Sequence, residues 1–338
     1  MAPRFDGATV VLSVDRLRTV FETAAQTVVA VDDVSFRLHQ GEVLGLVGES
    51  GSGKSMTGHS IMGLVDPPGR IADGTILYRG EDLGHASEDR LREIRGNHVA
   101  MVFQDPMTSL SPTLSIGAQL AGVLRAHRRI GRREIRERSV EMLRRLDIPS
   151  PEARLRAYPH ELSGGMRQRV CIAAAMLNEP DVLIADEPTT ALDVTTQAQI
   201  LEEVRDLCRN TGTAVIWISH DLAVIGALAN RVAVMYAGQI VETGPVAELL
   251  AAPRHPYTRA LLSAIPGANR GVRRLPQLTG EVPAIGDVPT GCRFRPRCAR
   301  ADAACEAPPV LVACGIGREV RCVHPLSDAD ATIDGAIP

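Results

Sequence analysis

The chain has 338 residues, with 45% hydrophobic and only 3% aromatic content, enough for one large and one small unit with aliphatic, alanine-rich cores. A formal charge of -3 argues against a general polyanion binder, whose affinity rests on Lys and Arg paired with phosphates. Met1 to Leu17 lacks the basic flank and apolar stretch of a signal peptide, and no run of about 18 apolar residues spans a bilayer, so a soluble chain is expected, with any membrane crossing left to other subunits.

Four short runs of Val, Ile and Leu each end at polar residues. Val43–Val47 leads into Gly48, Val99–Phe103 into Gln104, Val182–Ala185 into Asp186 and Glu187, and Ala214–Ile218 into Ser219 and His220. Such runs predict strands covered on both faces of a parallel α/β sheet. Ligands bind beyond the carboxyl ends of these strands, so the four polar endings should converge on one crevice. Residues 106–178 read as a mainly helical insert. Within it Ile135, Met142, Leu143 and Leu146 are apolar among Arg and Glu, and Glu134 and Arg138 are spaced for an i,i+4 pair. Its arginines read as a solvated face rather than a nucleic-acid surface. After Leu250, Pro and Gly (Pro253, Pro256, Pro266, Gly267, Pro276) predict a linker into a loop-rich unit, and 328–338 reads as a disordered tail. The expected division is 8–252 and 253–338.

Gly48-Glu49-Ser50-Gly51-Ser52-Gly53-Lys54-Ser55 follows the first predicted strand and fits a phosphate-binding turn in the context that motif needs. Its glycines let backbone N–H groups face one anion, and the helix opening at Lys54, Ser55 and Met56 adds its positive end. Lys54 is placed for the β- and γ-phosphates and the Ser55 hydroxyl for Mg²⁺. Asp186 suits Mg²⁺ through water, and Glu187 suits orienting and polarising an attacking water. His220 is a candidate γ-phosphate contact. Cys171 and Cys208 stand alone, whereas Cys292, Cys298, Cys305, Cys314 and Cys322 crowd the C-terminal region. Four of them, spaced Cys292-x5-Cys298-x6-Cys305-x16-Cys322, can close around a metal. That spacing is looser than a zinc knuckle and is not a ferredoxin run, so zinc and iron–sulfur both stay open.

Leu162-Ser163-Gly164-Gly165-Met166-Arg167-Gln168-Arg169 resembles the signature motif of ABC ATPases. Together with the phosphate turn, Gln104, Asp186–Glu187, Ala191-Leu192-Asp193 and His220, it stands in that family's order. The resemblance implies an α/β P-loop NTPase: a RecA-like core with a helical subdomain, forming an ATP-binding domain over 8–252. Two such domains pack head to tail, each ATP meeting the turn of one chain and Ser163, Gly164 and Gly165 of the other, with Asp193 at the seam. Gln104 senses Mg²⁺ and the attacking water, and Thr108–Gln119 docks the membrane subunits. Adenine would stack on an aromatic residue upstream, for which Phe21 is the candidate, with Val28 and Val29 as apolar alternatives.

His255-Pro-Tyr-Thr-Arg-Ala-Leu-Leu262, Ala264-Ile-Pro266 and Gly291-Cys-Arg-Phe-Arg-Pro-Arg-Cys298 resemble segments of oligopeptide/dipeptide importer ATPases. This implies a peripheral ATPase on the cytoplasmic face of the cell membrane. Its partners would be two transmembrane permeases, a second ATPase (itself or a paralogue) and, indirectly, an extracellular binding protein. It also implies a 4Fe–4S cluster on Cys292, Cys298, Cys305 and Cys322, with zinc as the alternative and Cys314 a free thiol. Cargo (dipeptide, oligopeptide, nickel complex, glutathione or sugar) is selected by the other subunits. A soluble ABC ATPase acting on nucleic acid or ribosomes is the competing class. Its members usually carry two ATPase domains or long insertions, whereas here each motif occurs once.

Overall fold

Strands β1 (Val10–Glu22) and β2 (Thr27–His39) pair antiparallel. β3 (Val43–Val47) is buried along its whole length and turns into α1 (Lys54–Ile61). β4 (Gly69–Tyr78) and β5 (Glu81–Asp82) then complete a four-stranded sheet of order β2-β1-β4-β5. This sheet is absent from the sequence-based expectation. The reason is local: bulges interrupt the β1 pairings, with Arg16 at φ 47°, and break the period-2 pattern. The computed structural model describes residues 8–327 apart from 25, 191, 266–277, 279 and 285. Ala191, Pro266, Gly267, Pro276 and the 328–338 tail therefore lie outside the described residues.

After α2 (Glu88–Ile94) and β6 (Val99–Val102) come α3 (Pro106–Ser109), α4 (Ile116–His127), α5 (Arg132–Arg145), α6 (Pro151–Arg154) and α7 (Gly164–Met176). The Glu134–Arg138 pair forms on α5, at 2.8 Å. Next are β7 (Val182–Asp186), α8 (Val194–Thr211), β8 (Ala214–Ser219), α9 (Leu222–Leu228), β9 (Arg231–Tyr236) and β10 (Gln239–Pro245). β6, β7, β8 and β3 lie side by side in parallel, as the four apolar runs predict, and β9, which those runs do not include, joins parallel beside β3. Leu44 and Leu46 of β3 point into one core with α1 and the antiparallel sheet, while Val43 and Val47 point into another with the helices. Burial on both faces is why these strands read as unbroken apolar runs.

The segment after Leu250 differs from the linker its Pro content suggests. α10 (Val246–Ala251) is followed by α11 (Pro256–Ser263), which starts at a His255 cap with Pro256 in its first turn, where proline's missing N–H costs nothing. Tyr257 and Leu262 of α11 are fully buried. Farther on, β11 (Val312–Gly315) and β12 (Arg318–Val320) join the edge of the main sheet, giving the order β11-β12-β10-β9-β3-β8-β7-β6. No helix among the described residues is long and apolar enough to cross a membrane.

Candidate active site

The parallel strands deliver their carboxyl ends to one cleft of about 530 Å³, lined by Phe21, Val28, residues 50–56, Gln104 and Glu187. Its floor is the turn after β3. Gly53 has φ 98°, and a Cβ there would meet the Ala30 carbonyl oxygen at 2.7 Å; at Gly48 it would meet that of Met235 at 2.2 Å. Only glycine fits either place. No side chain caps the start of α1, so its first-turn N–H groups are left to an anion. Lys54 is buried, and its Nζ donates to the carbonyl oxygens of Gly48 at 2.8 Å and Glu49 at 2.9 Å. Burial lowers its pKa, opposed by the carboxylates of Glu187, Asp186 and Glu49.

Asp186 ends β7 and accepts a hydrogen bond from the Ser55 hydroxyl at 2.9 Å. Burial pushes its carboxyl above the usual range, against the Ser55 bond and Lys54. Glu187 follows at φ 45°, a left-handed conformation that costs a non-glycine residue about 1–3 kcal/mol. Its N–H donates to the Ile218 carbonyl of β8 at 3.0 Å. The Glu187 Oε2 lies 3.4 Å from Gln104 Nε2, 3.1 Å from His220 Nδ1 and 3.0 Å from the Thr190 hydroxyl. Three strand endings thus close around one carboxylate. Thr190 was not singled out from the sequence; a threonine in a turn carries no distinguishing signal there. Phe21 and Val28 are cross-strand partners of β1 and β2 at the cleft wall.

Ser163, Gly164, Gly165 and Asp193 do not line this cleft. Ser163 caps α7, accepting from the Met166 N–H at 3.3 Å. Asp193 caps α8, accepting from the Thr196 N–H at 2.9 Å. A Cβ on Gly165 would come within 2.8 Å of Thr196, so the two helix starts abut, with Ser163, Gly164 and Asp193 exposed. Elsewhere, Cys292, Cys298, Cys305 and Cys322 line one small cavity with His255, Phe294, Arg300 and His324; Cys314 does not. Burial first, then the nearby thiols, pushes Cys322 up to about 11. Among the described residues, the donor set within 4.8 Å of one another is Asp302, Cys305 and His324, not the four thiols.

The ABC transporter family profile matches residues 31–190, and that of the oligopeptide/dipeptide transporter C-terminal region matches 241–305. The dipeptide transport ATP-binding protein DppD of Escherichia coli (strain K12) is 47% identical over 319 residues, 94% of this chain and 98% of its own length. The chain belongs to the oligopeptide/dipeptide importer family of ABC transporter ATP-binding subunits. A second member, the oligopeptide transport ATP-binding protein AppD of Bacillus subtilis (strain 168), is 48% identical over 313 residues, 92% of this chain and 95% of its own. The importer-family chain also superposes on the dimeric structure of a bacterial ABC transporter cassette, with TM-score 0.63 and 26% identity over 70% of this chain and 98% of that one. CbiO1 from Clostridium perfringens gives TM-score 0.61 and 27% identity, covering 71% and 90%. The family's C-terminal profile spans Cys292, Cys298 and Cys305 and stops short of Cys322.

Proposed function

We propose that the chain hydrolyses ATP in the cleft above β3 to drive peptide import through membrane permeases. The carrying observation is that Lys54, the Ser55–Asp186 pair and the Glu187–Gln104–His220 group meet in one cleft, in a chain whose relatives are named as dipeptide and oligopeptide transport ATP-binding proteins. Lys54 exchanges the carbonyls of Gly48 and Glu49 for the β- and γ-phosphates, while the uncapped N–H groups at the start of α1 hold the remaining oxygens. Glu187 orients and takes the proton of the attacking water. Its strained backbone and its contacts with His220, Gln104 and Thr190 fix the carboxylate in place. Phe21 and Val28 offer the adenine an apolar wall.

Ser55, Asp186 and Gln104 present the hard oxygen donors that Mg²⁺ takes, and the buried carboxyl of Asp186 gains most from a cation beside it. When bound, Mg²⁺ neutralises phosphate charge. The exposed Ser163 and Gly164, with half-buried Gly165, serve the ATP of a second cassette, a copy or a paralogue, with Asp193 at the seam; similarity to a dimeric cassette supports this. Exposed Met107 and Leu114 suit the segment through 108–119 to docking two permease subunits. The chain then works at the cytoplasmic face of the membrane, fed indirectly by an external binding protein. Lys54→Ala is expected to weaken ATP binding about a hundredfold or more, read by titration with a fluorescent ATP analogue. Parental affinity would contradict the assignment.

For the extension we propose a 4Fe–4S cluster on Cys292, Cys298, Cys305 and Cys322. The four thiols share one cavity, where burial first and then the neighbouring sulfurs raise the pKa of Cys322 and Cys292, so thiolates gathered there call for a cationic group between them. Tetrahedral zinc would draw the sulfurs to about 3.8 Å of one another, whereas no three of them fall within 4.8 Å among the described residues. The cluster, when bound, clips the loops of the extension together. Protein purified without oxygen should be brown and hold iron and acid-labile sulfide in equal amounts. Colourless protein with one zinc would overturn the cluster.

A further inference from the structure

The cysteine-bearing extension reaches back into the phosphate turn. Arg297 sits in the short turn Arg295–Arg297, between Cys292 and Cys298. Its guanidinium grips the Glu49 carboxylate with two bonds, Nη1 to Oε2 at 2.8 Å and Nη2 to Oε1 at 3.1 Å. The Arg297 side chain is only 4% exposed. It lies over the Tyr236 ring, 5.7 Å from the centroid, with Nη1 3.4 Å from the Tyr236 hydroxyl. Glu49 is also held through its backbone, since its N–H donates to the hydroxyl of Tyr257 on α11 at 3.0 Å. Tyr257 is fully buried and packs edge-on against Tyr236 at 4.7 Å, with Phe294 of the extension packed against both rings. The second residue of the phosphate turn is thus clamped at side chain and N–H by residues more than 200 positions away in sequence.

The clamp has an electrostatic consequence. The Glu49 carboxylate acts on the Lys54 ammonium, raising its pKa, and Lys54 bonds the Glu49 backbone carbonyl at 2.9 Å, so the charge of Glu49 is felt where the phosphates of ATP bring more negative charge. Unpaired, that carboxylate would repel the ligand; paired to Arg297 in a fixed fork geometry, it is neutralised and cannot swing toward the phosphates. We infer that Arg297 and Tyr257 are positioning residues of the ATP site, and that the extension is a working part of that site in the same chain. Binding free energies are reciprocal. What orders the turn between Cys292 and Cys298 therefore tightens ATP, and ATP steadies that turn.

Because this assignment takes residues 48–56 as the ATP site, its test includes an arm that isolates that premise. The full chain is titrated with a fluorescent ATP analogue, and folding is followed by thermal melting. Arg297→Ala is expected to bind about tenfold more weakly, the ratio that about 1.4 kcal/mol gives. Adding Glu49→Gln to Arg297→Ala removes the unpaired carboxylate and should recover most of the loss, which a merely structural role would not do. Tyr257→Phe keeps the aromatic packing and should bind about threefold more weakly, the scale of one hydrogen bond; it carries the test if Arg297→Ala does not fold. Parental affinity in Arg297→Ala, no recovery in the double variant, or parental affinity in Tyr257→Phe would overturn the clamp. If instead Lys54→Ala keeps ATP, the site itself is misplaced, whatever the Arg297 variants do.

Discussion

The central sheet and the C-terminal extension are held by different forces. β3, β7 and β8 are buried along their full length, and side chains such as Leu44, Leu46 and Trp217 sit fully inside apolar surroundings. Beyond α11, with its buried Tyr257 and Leu262, the extension supplies few such side chains, chiefly Cys292, Phe294, Cys305, Val320 and Leu326. It is fastened to the body by arginines that each reach a carboxylate: Arg293 to Asp32, Arg297 to Glu49, Arg318 to Glu242 and Arg321 to Asp33. Apolar packing is strong but non-directional, whereas a guanidinium–carboxylate fork fixes orientation. The body therefore owes its stability to area, and the extension its placement to charge.

Variants on each side sharpen that contrast. Trp217→Ala in β8 should cost about 3–5 kcal/mol and lower the main unfolding transition in denaturant, taking ATP binding with it. Arg318→Ala leaves the fully buried Glu242 without its guanidinium partner, 3.2 Å away. Backbone N–H groups of Arg254 and His255 still bond that carboxylate, so the cost should fall at the low end for a broken buried pair, about 3 kcal/mol. It should appear as early release of the extension, seen by proteolysis or hydrogen exchange, with the body's transition unmoved. Coincident unfolding of both regions in Arg318→Ala would erase the distinction.

The same contrast explains what could be read from sequence. The four parallel strands were legible because double-faced burial writes an unbroken apolar run. The phosphate turn was legible because close backbone approaches at Gly48 and Gly53 admit no side chain. β1 was not, since its bulges break the alternation. α11 was hidden because Pro256 signals a loop in composition but a helix start in the context of His255. The partners of Glu49 were out of reach for another reason: Tyr257 and Arg297 lie 208 and 248 residues away, and spacing carries no trace of a contact made by folding. Ser163 and Asp193 are legible as family motifs expected to serve a partner's site rather than this chain's own, and neither lines the cleft here.

The most direct test of the central claim is the fate of ATP in Glu187→Gln. This substitution keeps the shape of the side chain that meets Gln104, His220 and Thr190 but removes its basicity. The account predicts ATP bound at near-parental affinity, turnover lowered by about a hundredfold or more, and an ATP-dependent dimer in sedimentation. Hydrolysis at the parental rate by that variant would contradict it.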